Sequence, residues 1–197
     1  IFLTFAGSAM AGLMVIGCIQ LFGIDALQAS GAAADAATAT ATAGTAMAMY
    51  AILNGLGRIA WGAISDRIGR KLSIVLMCAS QAVMMAALFY LGRSNLGLTL
   101  AACIIGFNFG GNFALFPAVT ADFFGNANVG RNYGYVFLSY GVAGIAGPYI
   151  AGYFKDAAKV SGAGVNAWLT PFMIAAAACA AAAVIAALTK PPKAVSK

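Results

Sequence analysis

Apolar residues along the chain fall into successive blocks of about 20, the length a helix needs to cross a hydrocarbon core. Polar residues gather in short stretches between them. Six spans are expected, over residues 1–23, 35–64, 72–91, 96–121, 133–154 and 168–188. The connections are short, which favours neighbouring antiparallel helices over separate domains, and the longest, at 28–34, is small. The expected fold class is therefore an all-α membrane protein, a six-transmembrane-helix bundle. Residues 1–190 form the transmembrane domain and 191–197 a cytoplasmic tail.

Composition points the same way. Hydrophobic residues make up 62% of the chain and charged residues 8%, with a mean hydropathy of +0.91, against roughly 25% charged residues in a soluble domain. Lipid replaces the buried core. The 24 glycines and alanine runs such as 175–178 let helix backbones approach closely. Pro117, Pro148 and Pro171 lie within or at the start of spans, where each removes a backbone donor and invites a kink.

Cys18, Cys78, Cys103 and Cys179 all lie in apolar blocks, without a C-x-x-C pair, and the chain has no histidine. Neither a disulfide framework nor a metal site nor a cofactor is indicated, and the thiols are expected to pack as small hydrophobes. The sequence opens at Ile1 inside an apolar run without a charged leader, so it reads as a piece of a longer protein rather than as a signal peptide.

Orientation follows from the basic residues between spans. One set of connections holds Arg67, Arg70, Lys71, Arg131, Lys190, Lys193 and Lys197, and the other only Arg93, Lys155 and Lys159. The first side, with the C-terminus, is expected to be cytoplasmic. The formal charge of +6 is mostly this bias, which speaks against nucleic-acid binding.

Between the second and third spans the chain reads Gly62-Ala-Ile-Ser-Asp66-Arg67-Ile-Gly69-Arg70-Lys71, a fit to G-x-x-x-D-R-x-G-R-[KR] at every fixed position. Gly69 permits a sharp turn, Asp66 can face a helix N-terminus, and the arginines can bridge acidic groups on adjacent helices. Gly62, Asp66, Arg67, Gly69, Arg70 and Lys71 are thus expected to form a conformational latch. The plainer alternative is a basic loop that only sets topology. This motif resembles that of the major facilitator superfamily, where it follows the second helix of each six-helix half. The resemblance implies the C-terminal half of a twelve-helix secondary transporter, with the N-terminal six-helix domain absent from this chain. Gly144-Ile-Ala-Gly147-Pro148-Tyr-Ile-Ala-Gly152 is similar to the glycine-proline motif of antiporter-type members and implies bending and close packing.

Arg58 precedes Asp66 by eight residues, which at 1.5 Å per residue puts it about 12 Å inside the cytoplasmic end of its helix, near mid-membrane. A central arginine costs roughly +2.5 to +3.5 kcal/mol to insert unless it lines a wet cavity or meets an anion. The five acidic residues, Asp25, Asp35, Asp66, Asp122 and Asp156, all fall near expected helix ends. A guanidinium matches a carboxylate with two parallel hydrogen bonds, so a carboxylate substrate is the expected partner; a structural ion pair with another part of the protein is the alternative. Asn54 and Trp61 share Arg58's face. Asn108 and Asn112, among Phe109, Phe113 and Phe116, form an amide stripe, and Tyr133, Phe137, Tyr140 and Gly144 share another face. Expected substrate-binding residues are Arg58, Asn54, Asn108, Asn112, Phe113, Phe137 and Tyr140. For the aromatics packing is the competing reading, and for the asparagines it is hydrogen bonding between helices.

Asn54-Gly-Leu-Gly-Arg58, Gly106-Phe-Asn-Phe-Gly-Gly-Asn-Phe-Ala-Leu-Phe-Pro117 and Asn132-Tyr-Gly-Tyr look like the oxalate/formate antiporter family and related bacterial monocarboxylate transporters. That resemblance implies that Arg58 binds the substrate carboxylate. It departs in two places: Tyr140 stands where those antiporters carry a lysine, and Asn54 stands where eukaryotic monocarboxylate transporters carry an aspartate. The expected function is therefore proton-coupled transport of a small monocarboxylate such as lactate by alternating access, in a multi-pass protein of the bacterial inner membrane. Its partners would be the carboxylate, a proton, membrane lipids and the N-terminal half. Asp35 is a candidate for proton coupling, with helix capping as its alternative role. Oxalate/formate-type exchange and a non-transporting receptor are the rival readings. Enzymatic catalysis is not expected, since no nucleophile with an adjacent base is visible.

Overall fold

The structure, a computed structural model, describes residues 1–190. The expected tail 191–197, with Lys193 and Lys197, lies outside the described residues, as does the side chain of Lys159. Six α-helices run in chain order: α1 Phe2–Ala29, α2 Ala36–Ile68, α3 Arg70–Leu91, α4 Asn95–Phe124, α5 Val129–Ser161 and α6 Leu169–Leu188, the last preceded by a 3-10 turn, Gly164–Trp168. Most ends lie a few residues beyond the expected spans. Hydropathy marks only the part of a helix that sits in hydrocarbon, whereas the backbone stays helical into the polar interface until something stops it.

Local chemistry explains several of these ends. The Asp35 carboxylate accepts from the Thr38 backbone N–H at 2.7 Å and starts α2, and the Ser94 hydroxyl accepts from the Gly97 N–H at 3.1 Å and starts α4. Gly69 separates α2 from α3 at φ +89, a backbone region that L side chains resist. By length and composition five segments among the described residues can cross a membrane: α1 to α4 and the stretch Gly164–Leu188. α5 is long enough, but five tyrosines, six glycines and Pro148 dilute its aliphatic content.

α1 occupies the middle of the bundle and packs against α2, α4, α5 and α6, while α3 packs chiefly on α6 and α4. The most extensive pairing is α2 on α4, and glycines make it possible. A Cβ on Gly57 would stand 2.0 Å from the Phe107 carbonyl oxygen, one on Gly106 2.3 Å from that of Tyr50, and one on Gly110 2.0 Å from that of Asn54. The two backbones therefore touch directly, as small residues allow in lipid. Large apolar side chains are left on the outside, including Ile59 at 74% and Ile145 at 75% exposure. A bilayer or a companion domain, rather than water, suits such a surface.

Candidate functional site

The α2–α4 crossing fixes where Arg58 sits. Gly110 lies against the Asn54 carbonyl and the Arg58 backbone nitrogen, so α4 holds the very turn of α2 that carries the arginine. Arg58 is exposed. Its Nη2 donates to Asn54 Oδ1 at 3.2 Å, and its Cζ lies 4.5 Å from the centroid of the Phe113 ring. Both partners are neutral. Among the described residues the ion pairs found involve Arg70, not Arg58.

Aromatic rings continue from Phe113. Tyr140 meets it edge-on at 5.6 Å, and Phe137 stacks on Tyr140 at 5.0 Å. Phe109 lies 5.4 Å from Phe113 and 6.4 Å from Tyr140. The wall extends to Tyr50 through Phe109 and to Phe5 and Phe116 through Phe137. Phe113, Phe137 and Tyr140, from α4 and α5, keep some exposure beside Arg58, while Phe5, Tyr50, Phe109 and Phe116 are buried and back them from α1, α2 and α4. Such a surface can receive a small anion at the guanidinium and cover its apolar part with rings.

Of the expected binding residues, Arg58, Asn54, Phe113, Phe137 and Tyr140 come together. Asn108 and Asn112 do not join them. Asn108 is buried and donates to Ser80 Oγ on α3 at 3.0 Å, while Asn112, fully buried, accepts from Ser8 Oγ on α1 at 2.7 Å. These amides hydrogen-bond between helices behind the aromatic wall. Trp61 is also turned inward: it is 7% exposed, lies against Gly111 and packs 6.0 Å from Phe107. A step of three residues leaves it about 60° round the helix from Arg58, on the α4 side. Phe5 and Tyr50 belong to the wall without having been expected there. Tyr50, eight residues before Arg58, is about 80° round the helix from it, on the inward side it shares with Trp61; Phe5 carries no local signal.

Asp35 lies apart. It precedes Arg58 by 23 residues, about 34 Å along a helix, and is exposed. The Thr38 backbone N–H, followed by the Thr38 side chain, holds its carboxyl below the usual carboxylate value. A carboxyl lowered in the folded state contributes stability above its unfolded value, near 4, and loses that contribution as pH falls through the lowered one. It is therefore ionised and unchanging at neutral pH. Asp35→Asn, which keeps a capping oxygen, is expected to leave the pH profile of uptake by the complete transporter unshifted across roughly pH 5 to 8; a displaced profile would mark Asp35 as a proton carrier.

Where α2 meets α3, Arg70 gathers three partners. Its Nη1 contacts Asp66 Oδ1 at 2.7 Å and donates to Ser65 Oγ, and its Nε lies 3.5 Å from Asp122 Oδ2 at the end of α4. The turn at Gly69 thus ties α2 and α3 to α4. Gly62 has room, with the nearest neighbour of an added Cβ being Ala114 at 3.9 Å. Arg67 and Lys71 are exposed.

Comparison with known proteins adds the lineage. The uncharacterized MFS-type transporter YhjX of Escherichia coli is 33% identical over 146 residues, 72% of this chain and 33% of that protein. The oxalate:formate antiporter of Oxalobacter formigenes is 33% identical over 97 residues, 49% of this chain and 23% of its own length. Apicoplast pyruvate carrier 1 of Toxoplasma gondii is 36% identical over 90 residues, 44% of this chain and 16% of that carrier. The chain spans a third or less of the length of these relatives. The profile of the Major Facilitator Superfamily matches residues 1–197, and with the helical bundle, the loop at 62–71 and these relatives it establishes that the chain belongs to that superfamily.

Proposed function

We propose that this chain forms the C-terminal half of a transporter that carries a small monocarboxylate such as lactate, together with a proton, by alternating access. The observation that carries the reading is Arg58: an exposed cation in mid-helix of a membrane bundle, whose guanidinium contacts the neutral side chains of Asn54 and Phe113. One guanidinium takes one carboxylate, and the rings of Phe113, Tyr140 and Phe137 cover a short apolar remainder. The relatives named as an oxalate:formate antiporter and a pyruvate carrier support a carboxylate. With Asp35 placed far from Arg58, this reading seeks the proton carrier in the companion half.

The test is uptake of a labelled panel of lactate, pyruvate, formate and oxalate into liposomes holding the complete transporter. Saturable uptake of monocarboxylates that rises with an inward proton gradient is expected. Similarity to the Oxalobacter protein favours a second reading, exchange of oxalate for formate. Tyr140 in place of a second cation argues against a dianion, so labelled oxalate is expected to show little counterflow.

In the same reading Arg70, Asp66 and Asp122 form a latch that favours one of the two access states. Partly exposed pairs of this kind are worth at most about 1 kcal/mol, a factor of roughly five in a two-state population. Asp122→Asn is expected to shift the accessibility of a cysteine placed beside Arg58 by about that factor, with little change in substrate affinity. Unchanged labelling would reduce the loop to a topology signal.

A further inference from the structure

Behind the aromatic wall is a layer of buried polar groups whose hydrogen bonds do not close. Gln81 on α3 is 1% exposed, and both its amide nitrogen and its oxygen lack a partner. Asn112 on α4 is fully buried, with its oxygen taken by Ser8 but its nitrogen unpartnered. Trp61 on α2, 7% exposed, leaves its indole nitrogen unpartnered as well.

Contacts link these groups into one layer. The Trp61 ring and the Met77 sulfur both crowd Gly111, the residue before Asn112. Ser8 bonds Asn112 and lies beside the Cys78 thiol. Met77 and Cys78 precede Gln81 by four and three residues, which puts all three on the buried face of α3. Ser80, next to Gln81, receives the Asn108 amide.

In hydrocarbon such groups cannot turn to solvent, and each one left unpaired is costly. The unpaired set is three N–H-bearing atoms and one amide oxygen. A ligand for it must accept from several donors and also donate once. Water does both and settles where two to four polar atoms converge. A chloride ion would leave the Gln81 oxygen unanswered and would bring a charge into a layer that holds no cation among the described residues.

We propose that the junction of α1, α2, α3 and α4 holds a bound-water site, formed by Trp61 Nε1, Gln81 and Asn112 Nδ2, directly behind the Arg58 surface. The site makes α3 a hydrated support for the binding helices rather than a dry one. It is independent of which substrate the protein carries.

Two measurements on the complete transporter in nanodiscs test it. The first is thermal unfolding of Gln81→Leu and Gln81→Met. If water bridges these groups, both substitutions strand the donors of Trp61 and Asn112 and lower the melting temperature by several degrees. If Gln81 is an unsatisfied amide in a dry layer, an apolar side chain of similar size raises it, which would overturn the proposal. The second uses the unsubstituted protein with nitrogen-15-labelled tryptophan, assigned by Trp61→Phe. Magnetisation transfer from water to the Trp61 indole proton is expected, whereas a dry indole would refute the site. A melting temperature that depends on chloride would assign the donors to an anion and overturn the proposal equally.

Discussion

On the proposed reading, Arg58→Gln is expected to abolish uptake of labelled lactate into liposomes by the complete transporter while the protein still folds and inserts. The side chain is exposed and contacts Asn54 and Phe113, so removing its charge breaks no ion pair found among the described residues. The loss falls on the substrate. Truncating one partner of a closely held charge pair costs about 2–5 kcal/mol, and at 1.4 kcal/mol per decade the middle of that range is more than roughly 100-fold in affinity. Arg58→Lys keeps the charge but loses the planar fork and its stacking on Phe113, so about a tenfold loss is expected. Phe113→Leu keeps the guanidinium and removes its cation–π contact, worth roughly 0.5 to 2 kcal/mol, along with the edge-on ring contacts to Phe109 and Tyr140. That order, Gln worst and Leu mildest, separates substrate binding from a structural role, which would show instead as a fall in melting temperature.

Gly110→Ala is the second large effect, and it acts on the scaffold. The new methyl would stand 2.0 Å from the Asn54 carbonyl oxygen and 3.2 Å from the Arg58 backbone nitrogen. Neither is a flexible side chain that can swing away. The two helices must separate, which undoes the neighbouring contacts at Gly57 and Gly106 and tilts the turn that presents Arg58. Overpacking of this kind costs about 1–3 kcal/mol or more, against a helix-propensity gain of at most about 1 kcal/mol for alanine over glycine. A clear drop in melting temperature together with lost uptake is expected. Gly44→Ala serves as the control, because an added Cβ there meets nothing within 4 Å in the bundle. Equal melting temperatures for the two variants would mean that the α2–α4 contact is looser than described.

Much of this architecture can be read from the residues in order. Runs of apolar residues locate the helices because lipid demands them, and the fixed positions of 62–71 identify the loop because a positive-φ glycine between two charged turns is hard to obtain otherwise. Arg58 stands out because a charge in mid-span needs a reason. What resists such reading is rotation of the helices about their axes. In a soluble protein the apolar stripe shows which side faces inward, but in a bilayer both sides of α4 are apolar. Asn108 and Asn112 could face the cavity or a neighbouring helix equally well on sequence grounds. Their actual partners, Ser80 and Ser8, lie 28 and 104 residues away in the chain. Phe5 joins the aromatic wall through a similar long-range contact, and the bond from Trp168 Nε1 to Asp25 Oδ2 at 2.9 Å, which ties the 3-10 turn to α1, likewise has no local signal.

The measurement that bears most directly on the account is a structure of the complete transporter with a bound monocarboxylate. The account predicts both carboxylate oxygens at about 2.7–2.9 Å from the Arg58 guanidinium nitrogens, with the substrate's apolar end against Phe113 and Tyr140. A structure in which Arg58 is closed off from solvent and held by a carboxylate of the protein itself, with the substrate elsewhere, would contradict it.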